Sequence, residues 1–317
     1  MTPKERFIKA LKREPLTGLV PHFELVFYLT MEVLGKVHPS HRSMHQWNQM
    51  TVREQELQLQ DIASCHIDIA KKYGHSAIFV HSNAGGGDEQ KRLLEIFRER
   101  TGDDYFLMLH GDCTYGMPNG DNMVEFTAQM YEKPDELKER AARGVDWALN
   151  FAAKYERSGL LDGFALCSDY CFNTNPFFTP DLFAELVAPY LKEVIAGYRR
   201  MGYYSIKHTD GNIMPILDQM ADCEPDAFHS LDPQGGVDLK EVKRLYGNKI
   251  CMIGNVNCGL LQTGSEDEVE RDVLRCLGDG MPGYGFIFST SNCVYTGLPL
   301  ERYELMHRLW QKHGVYS

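Results

Sequence analysis

The sequence lacks any excess of positive charge. Its 33 Lys and Arg residues are outnumbered by 44 Asp and Glu residues, which gives a formal net charge of −11 at pH 7. Nucleic acids and anionic membrane surfaces attract basic proteins, so we expect neither as a partner. The chain also has no uncharged apolar run of the ~20 residues that a membrane-spanning helix needs. These absences predict a soluble, cytoplasmic protein.

Regular cysteine spacing and phosphate-binding glycine motifs are missing as well. The nine cysteines are odd in number and irregular in spacing, which indicates reduced thiols rather than a disulfide framework. No predicted strand is followed by G-x-G-x-x-G or a phosphate loop, so a dinucleotide or triphosphate site has no support. The three glycines at 85–87 are typical of a turn. Thr2 and Glu5 form the capping box of a first helix, a pattern unlike a signal peptide.

The sequence contains a regular alternation of short apolar strands with helices. The 317 residues, 43% of them hydrophobic, are enough for one large domain. Helices are predicted over 44–73 and 179–201, among others. The strands lack polar alternation, as is typical of a parallel sheet buried on both faces. Eight strands are predicted, at 19–25, 76–83, 105–112, 163–169, 204–212, 227–232, 250–255 and 285–289.

This order of elements predicts the α/β class and a (β/α)8 TIM barrel. The barrel would span 1–317 as a single domain with an N-terminal helical extension. A doubly wound open sheet is the competing architecture. In a TIM barrel the catalytic groups stand at the carboxyl ends of the strands. The polar groups at those ends are Glu24, His81, His110 with Asp112, Asp169, His208 with Asp210, His229 with Asp232, Asn255 with Asn257, and Asn292 with Cys293.

His208 and Asp210 carry the strongest signal for a site. They lie two residues apart at the end of the fifth strand, and side chains with that spacing point to the same side of a strand. Both side chains could therefore bind one ion or one substrate atom. The motif that contains them, His208-Thr-Asp-Gly, is one of several that resemble the uroporphyrinogen decarboxylase superfamily, which includes the corrinoid-linked and coenzyme-M-linked methyltransferases.

Further motifs of that superfamily follow along nearly the whole chain. They are the opening Met1-Thr-Pro-Lys-Glu-Arg-Phe with Val20-Pro21, Gly236-Val-Asp-Leu-Lys-Glu-Val-Lys, Ile253-Gly-Asn-Val, and Ser291-Asn292 followed by Pro299-Leu-Glu301. The resemblance implies a TIM barrel. It is closer to the methyltransferase branch, of the O-demethylase type, than to the true decarboxylases.

Two departures from the superfamily affect the expected chemistry. The decarboxylases carry an R-Q-A-G-R loop for their polycarboxylate substrate, but this chain has an acid and aromatics at 23–28. The zinc methyltransferases use H-x-C, where this chain has Asp210 in place of the cysteine. The second zinc cysteine of those enzymes falls one place away from Cys293.

The resemblance implies a methyltransferase that cleaves a small-molecule methyl donor and passes the methyl group to the cobalt of a corrinoid (cobalamin) on a partner protein. An aryl methyl ether is the favoured donor, zinc is the candidate metal, and a homodimer is compatible with this function. The expected metal ligands are His208, Asp210 and Cys293, with Asp169 and Cys258 in reserve. The expected catalytic residues are His208, Asp210, Glu24, His81, His110 and Asp169. Asn255, Asn257, Asn292 and His229 are expected to contact the cofactor. The expected aromatic sleeve for the substrate comprises Phe27, Tyr28, Tyr115, Tyr170 and Phe172.

Alternative interpretations remain open for the protein and for its residues. Without a metal, the histidines at 81, 110 and 229 would serve as general acids. Asp210 could instead hydrogen-bond the turn, and Cys293 could be a small buried hydrophobe. A decarboxylase acting on a tetrapyrrole or another carboxylate is the second function, and a non-catalytic barrel that binds a small ligand is the third. The density of ionisable groups at the strand ends favours an enzyme.

Overall fold

The computed structural model describes residues 1–83 and 87–316. The turn predicted from the glycines at 85–87 lies partly outside the described residues. Nine strands are present in the described chain, and they are β1 (Gly18–Leu19), β2 (Ala77–Phe79), β3 (Phe106–His110), β4 (Gly163–Cys167), β5 (Tyr204–Thr209), β6 (Ala227–Ser230), β7 (Cys251–Val256), β8 (Phe286–Thr290) and β9 (Val315–Tyr316). Strands β2 to β8 form one parallel sheet in sequential order, and β1 pairs antiparallel with β9.

Helices connect and surround the strands. In the described chain they are α1 (Pro3–Leu11), α2 (Thr30–Leu34), α3 (Val52–Tyr73), α4 (Gly87–Thr101), α5 (Met123–Glu132), α6 (Pro134–Ala153), α7 (Pro180–Leu186), α8 (Ala188–Arg200), α9 (Leu217–Asp222), α10 (Leu239–Tyr246), α11 (Cys258–Thr263), α12 (Glu266–Gly280) and α13 (Leu300–His313). No helix in the described part of the chain has the length and apolarity needed to cross a bilayer.

The segment around His22 closes the sheet into a barrel. His22 forms parallel bridges both to His75, beside β2, and to Phe288 of β8. The Ser76 amide donates to the His22 carbonyl at 2.7 Å, and the Phe288 amide donates to the Pro21 carbonyl at 2.9 Å. The predicted first strand at 19–25 is thus shorter than expected, because Pro21 has no N–H for a continuous ladder. The predicted TIM barrel is confirmed.

Two apolar cores hold the barrel together. The inner core fills the barrel with side chains from successive strands, including Phe79, Met108 and Ile206. Helix α1 covers the amino end of the barrel, where the Phe7 ring lies 4.8 Å from that of Phe106. The outer core lies between the strands and the surrounding helices. The predicted N-terminal helix begins with the expected Thr2–Glu5 capping box.

Two helix predictions differ from the structure. The helix expected over 179–201 is divided into α7 and α8 at Val187, which has φ −123°. Pro189 lies in the first turn of α8, where its missing N–H breaks no helical hydrogen bond. The helix expected from residue 44 begins at Val52, after the capping box formed by Thr51 and Glu54.

Candidate active site

Strands β4 and β5 bring three ionisable side chains to the carboxyl end of the barrel. In the parallel register Cys167 lies opposite His208, so Asp169, two residues beyond β4, lies next to His208 and Asp210. Gly211 makes the turn after Asp210 with φ +78°, and a Cβ at this position would come within 2.6 Å of two carbonyl oxygens. Only glycine fits this turn without strain, so it helps to determine where the Asp210 side chain points.

Asp169, His208 and Asp210 form a compact trio. The His208 Nε2 atom lies 3.7 Å from Asp169 Oδ1 and 3.7 Å from Asp210 Oδ1. The exposed fraction of the side chain is 47% for Asp169, 23% for Asp210 and 7% for His208. Asp169 therefore stands at the mouth of the barrel, and His208 lies below it.

The Asp210 carboxyl group is held in an unfavourable electrostatic environment. Asn292 donates to its Oδ2 at 2.5 Å, but its buried Oδ1 has no hydrogen-bond partner among the described residues. Burial and the neighbouring Asp169 raise the pKa of Asp210 to about 7. A carboxyl group with this pKa can change its protonation state near neutral pH, which is a property of acid–base and ligand groups in active sites.

His208 is the first member of a buried chain of polar groups. Its Nδ1 lies 2.7 Å from Nδ1 of His229, whose Nε2 lies 3.4 Å from Ser289 Oγ. Ser289 in turn donates to Glu24 Oε2 at 3.2 Å. All four side chains are buried. Burial lowers the pKa of His208 to about 4 and lowers the pKa of His229 well below its ordinary value, so both imidazoles are neutral at pH 7.

Glu24 ends this chain in the wall of the barrel. Its Oε2 also accepts from the Thr290 amide at 3.2 Å and lies 2.6 Å from the Thr290 hydroxyl. Its Oε1 has no hydrogen-bond partner within the described chain and lies 3.9 Å from His22 Nε2. Burial raises the pKa of Glu24 to about 8. Glu24 is therefore a mainly neutral acid at pH 7.

The trio has a geometry that fits a divalent metal ion. The ligand atoms of Asp169, His208 and Asp210 all lie within 4.8 Å of one another. Two N or O ligands of a tetrahedral zinc ion at ~2.1 Å stand roughly 3.4 Å apart, close to the 3.7 Å between His208 Nε2 and each carboxylate. The unpartnered Oδ1 of Asp210 would gain a ligand bond. One imidazole and two carboxylates are also a set that suits zinc or a similar ion.

The predicted ligand Cys293 lies outside this compact trio, and Asp169 stands in its place. Cys293 is nevertheless nearby. Burial is the main cause that raises the pKa of its thiol to about 12, and the charges of Asp210 and Glu24 add to this rise. Of the predicted cofactor residues, Asn292 contacts Asp210, and His229 contacts His208. Ligation by Cys293 stays a prediction.

Two other predicted cofactor residues have structural roles instead. Asn255 is fully buried, donates to the Leu231 carbonyl at 2.6 Å and accepts from Arg275 at 3.1 Å. Asn257 caps α11, since its side-chain oxygen accepts from the amides of Gly259 and Leu260. These contacts occupy the side-chain oxygen of both residues and the amide nitrogen of Asn255.

The predicted aromatic sleeve is largely absent. Tyr170 is fully buried beneath the β5 lysine, and Phe27 is packed against Tyr73 and Tyr303 in the outer core. Tyr115 donates its hydroxyl to the Leu137 carbonyl. Sequence position beyond a strand end could not distinguish these packed rings from exposed ones. Tyr28 and Phe172 keep exposed surface, and Phe172 is 42% exposed.

Among the described residues, neither His81 nor His110 makes a hydrogen bond or ion pair with the trio. His110 contacts the Cys167 carbonyl at 3.4 Å from an exposed position. His81 belongs to a second group of rings with Tyr28, His38, His41 and His66. Sequence reasoning missed this group, because His38, His41 and His66 come from a loop and α3. It also missed Ser289 and Thr290, which only the barrel places beside Glu24.

Comparison with known families supports the fold and defines the family. A sequence model of the uroporphyrinogen decarboxylase (URO-D) family matches residues 114–313, which is more than half of the chain. The chain belongs to the uroporphyrinogen decarboxylase family. The superfamily predicted from the motifs is confirmed. No curated protein sequence matches the chain significantly.

Solved structures share the fold of this family member. A methyltransferase from Methanosarcina mazei superposes with a TM-score of 0.75 at 17% identity, covering 98% of this chain and 99% of that chain. A GH5_18 protein from Streptomyces cattleya, solved in complex with GlcNAc, gives a TM-score of 0.53 at 10% identity, covering 94% and 80%. Identities this low show a shared fold alone.

Proposed function

We propose that the protein is a methyltransferase that removes a methyl group from a small-molecule donor. The observation that carries this proposal is the compact trio of Asp169, His208 and Asp210, with its unpartnered carboxylate oxygen, at the catalytic end of the barrel. We propose an aryl methyl ether as the donor and the corrinoid of a partner protein as the acceptor.

The trio suits the difficult part of this reaction. A methyl group leaves an ether oxygen only if the charge that develops on that oxygen is stabilised. Asp210, whose pKa is raised to about 7 by burial and by Asp169, is partly protonated at neutral pH and can donate a proton to the leaving oxygen. If zinc is bound instead, Asp210 is ionised as a ligand and no longer donates a proton; a zinc ion held by Asp169, His208 and Asp210 would then supply Lewis-acid stabilisation of the same oxygen.

The shared fold with a methyltransferase supports this choice within the family. The match to the Methanosarcina mazei protein extends over 98% of the chain, so no large part of the barrel differs in plan. Tyr28 and Phe172 keep partly exposed rings, as contact with an aromatic donor would require. Transfer to a separate corrinoid protein requires an accessible mouth, and Asp169 is exposed there.

A decarboxylase is the second candidate, favoured by the description of the family. A polycarboxylate substrate needs cationic side chains to face it. The groups that surround the mouth here are acidic, and burial raises the pKa of Asp232 as well as that of Asp210. Like charges would face one another in the complex, so the local electrostatics favour the methyltransferase.

The proposal is tested by anaerobic assay of the purified protein with reduced cobalamin and an aryl methyl ether, together with measurement of bound zinc. We expect formation of methylated cobalamin. His208→Gln and Asp210→Asn should lower kcat/KM by about 10²- to 10⁴-fold, the range for lost acid–base groups. His313→Gln, at the end of α13, is the matched control and should change kcat/KM by less than about threefold. Activity that is unchanged in His208→Gln and Asp210→Asn, or turnover of a porphyrinogen alone, would contradict the proposal.

A further inference from the structure

We propose that Glu24, Ser289 and His229 are positioning residues that hold His208 in the tautomer with hydrogen on Nδ1, so that an unprotonated Nε2 faces Asp169 and Asp210. This inference deepens the proposed function, since it assigns the role of His208 at the same site. It follows from the direction in which the hydrogen bonds of the buried chain must run.

The contact between the two imidazoles contains one proton. The Nδ1 atoms of His208 and His229 lie 2.7 Å apart, which requires one to donate and the other to accept. Both rings are buried, and a second hydrogen on either ring would place a charge in the barrel interior at a high cost. Each ring therefore carries one hydrogen, and the choice made at one ring determines the choice at the other.

The groups at the Glu24 end of the hydrogen-bond chain determine which imidazole donates. The Thr290 hydroxyl lies 2.7 Å from the Asn292 carbonyl, which can only accept, and 2.6 Å from Glu24 Oε2. If Glu24 is neutral, its proton is donated to Thr290, whose own hydrogen is donated to Asn292. If Glu24 is ionised, it accepts from Thr290. If the hydrogen of neutral Glu24 pointed to Ser289 instead, the single hydrogen of Thr290 could serve only one of its two short contacts. In both states Glu24 Oε2 is therefore an acceptor toward Ser289.

The positions of the remaining hydrogens follow from the acceptor role of Glu24 Oε2. Ser289 donates to Glu24 at 3.2 Å, so its oxygen accepts from His229 Nε2 at 3.4 Å. His229 Nδ1 is then unprotonated and accepts from His208 Nδ1. The opposite direction would place a hydrogen on His208 Nε2, which is 3.7 Å from each carboxylate and beyond hydrogen-bond distance.

His208 and Asp210 therefore have different roles within the trio. His208 presents a lone pair and acts as a base, or as a ligand when a metal is bound, while the proton for the leaving oxygen comes from Asp210 in the metal-free trio. Ser289 and His229 exert their effect through His208, without contact to the substrate. Second-sphere hydrogen bonds of this kind commonly orient histidine ligands.

The test reads the tautomers directly in the resting full-length protein by ¹⁵N NMR after selective labelling of histidine. Signals of His208 and His229 are assigned from their loss in His208→Gln and His229→Gln. In the wild type we expect hydrogen on Nδ1 of His208 and on Nε2 of His229. Ser289→Ala leaves the Nε2 hydrogen of His229 without an acceptor, and such a loss should shift the tautomer ratio by about 5- to 150-fold.

Two further variants separate this role from simple packing. Ser289→Thr keeps a hydroxyl and should restore the wild-type tautomers. Ser291→Ala removes a buried hydroxyl outside the chain and should leave the tautomers unchanged. Hydrogen on Nε2 of His208 in the wild type, or a ratio that stays within about twofold in Ser289→Ala, would overturn the inference. Because no substrate is added, expected tautomers without methyl transfer would refute the proposed function and leave this inference intact.

Discussion

Lys207 and His208 are neighbours on β5, and their surroundings differ in one decisive respect. Lys207 is fully buried, donates to Asp112 at 2.8 Å and to two carbonyls, and lies 4.1 Å from the centre of the Tyr170 ring. Asp112 also accepts from the Thr114 amide and hydroxyl. Every polar group of this ion pair has a partner.

His208 faces two acids at longer distance, and one oxygen of Asp210 has no partner in the described chain. The pKa values of the two acids show the same difference. Burial opposes ionisation of Asp112, but the Lys207 ammonium holds the pKa of Asp112 below its ordinary value. Burial and Asp169 instead raise the pKa of Asp210. Complete pairing indicates a structural role, and incomplete pairing indicates a site prepared for a ligand.

The largest effect is expected from breaking the satisfied pair. Lys207→Met leaves the Asp112 carboxylate buried and unpaired, so the free energy of unfolding should fall by about 3–5 kcal/mol. Urea denaturation measures this loss. The double variant Lys207→Met/Asp112→Leu removes both charges and should recover much of it. A loss below about 1 kcal/mol in the single variant would show that the pair is not structural.

The pH dependence of stability tests whether Glu24 holds its proton in the buried hydrogen-bond chain. Its pKa rises from 4.5 to about 8 on folding because of burial, so the folded state binds the proton more tightly than the unfolded state. The wild type should therefore lose stability relative to Glu24→Gln as pH rises from about 4.5 to about 8, by about 1.4 kcal/mol per pH unit. Denaturation at pH 5 and pH 8 gives the comparison, and a constant difference would contradict it.

The Asp210→Asn substitution should raise stability and lower function, whereas Lys207→Met should lower stability. Asp210→Asn removes a carboxylate whose ionisation is opposed by burial and Asp169, since its pKa rises from 3.8 to about 7. At pH 8 we expect the variant to be about 1–3 kcal/mol more stable than the wild type, and at pH 4 about equally stable. If zinc binds the trio as proposed, its affinity, measured by calorimetry, should fall. A variant destabilised at pH 8 would show that Asp210 is structural.

The smallest effect is expected at a cap remote from the trio. Asn257→Ala removes the side-chain oxygen that caps α11 and should lower the free energy of unfolding by about 1 kcal/mol. The histidine tautomers should not change, nor should the affinity for zinc if zinc binds the trio as proposed, since Asn257 makes no contact with the trio among the residues that the structure describes. Altered zinc affinity would restore the earlier prediction that Asn257 contributes to the functional site.

The sequence predicted the parts of the site that are local in the chain. His208 and Asp210 were identified because two residues on one strand end share a side, and Glu24 and Asp169 because they stand at predicted strand ends. The aromatic sleeve failed for the complementary reason. Whether Tyr170 faces the mouth or packs beneath Lys207 depends on side-chain contacts between strands, which spacing along the chain does not contain.

The same contrast applies to the molecule as a whole. Apolar periodicity, capping residues and turn glycines determined the order of strands and helices, because each acts within a few residues. Only the closed barrel decided that Glu24 and Ser289, 265 positions apart, share a hydrogen bond, and that Asp169 lies beside His208. Such contacts depend on the register of parallel strands and on the way the sheet closes, and both are set by packing of the entire chain.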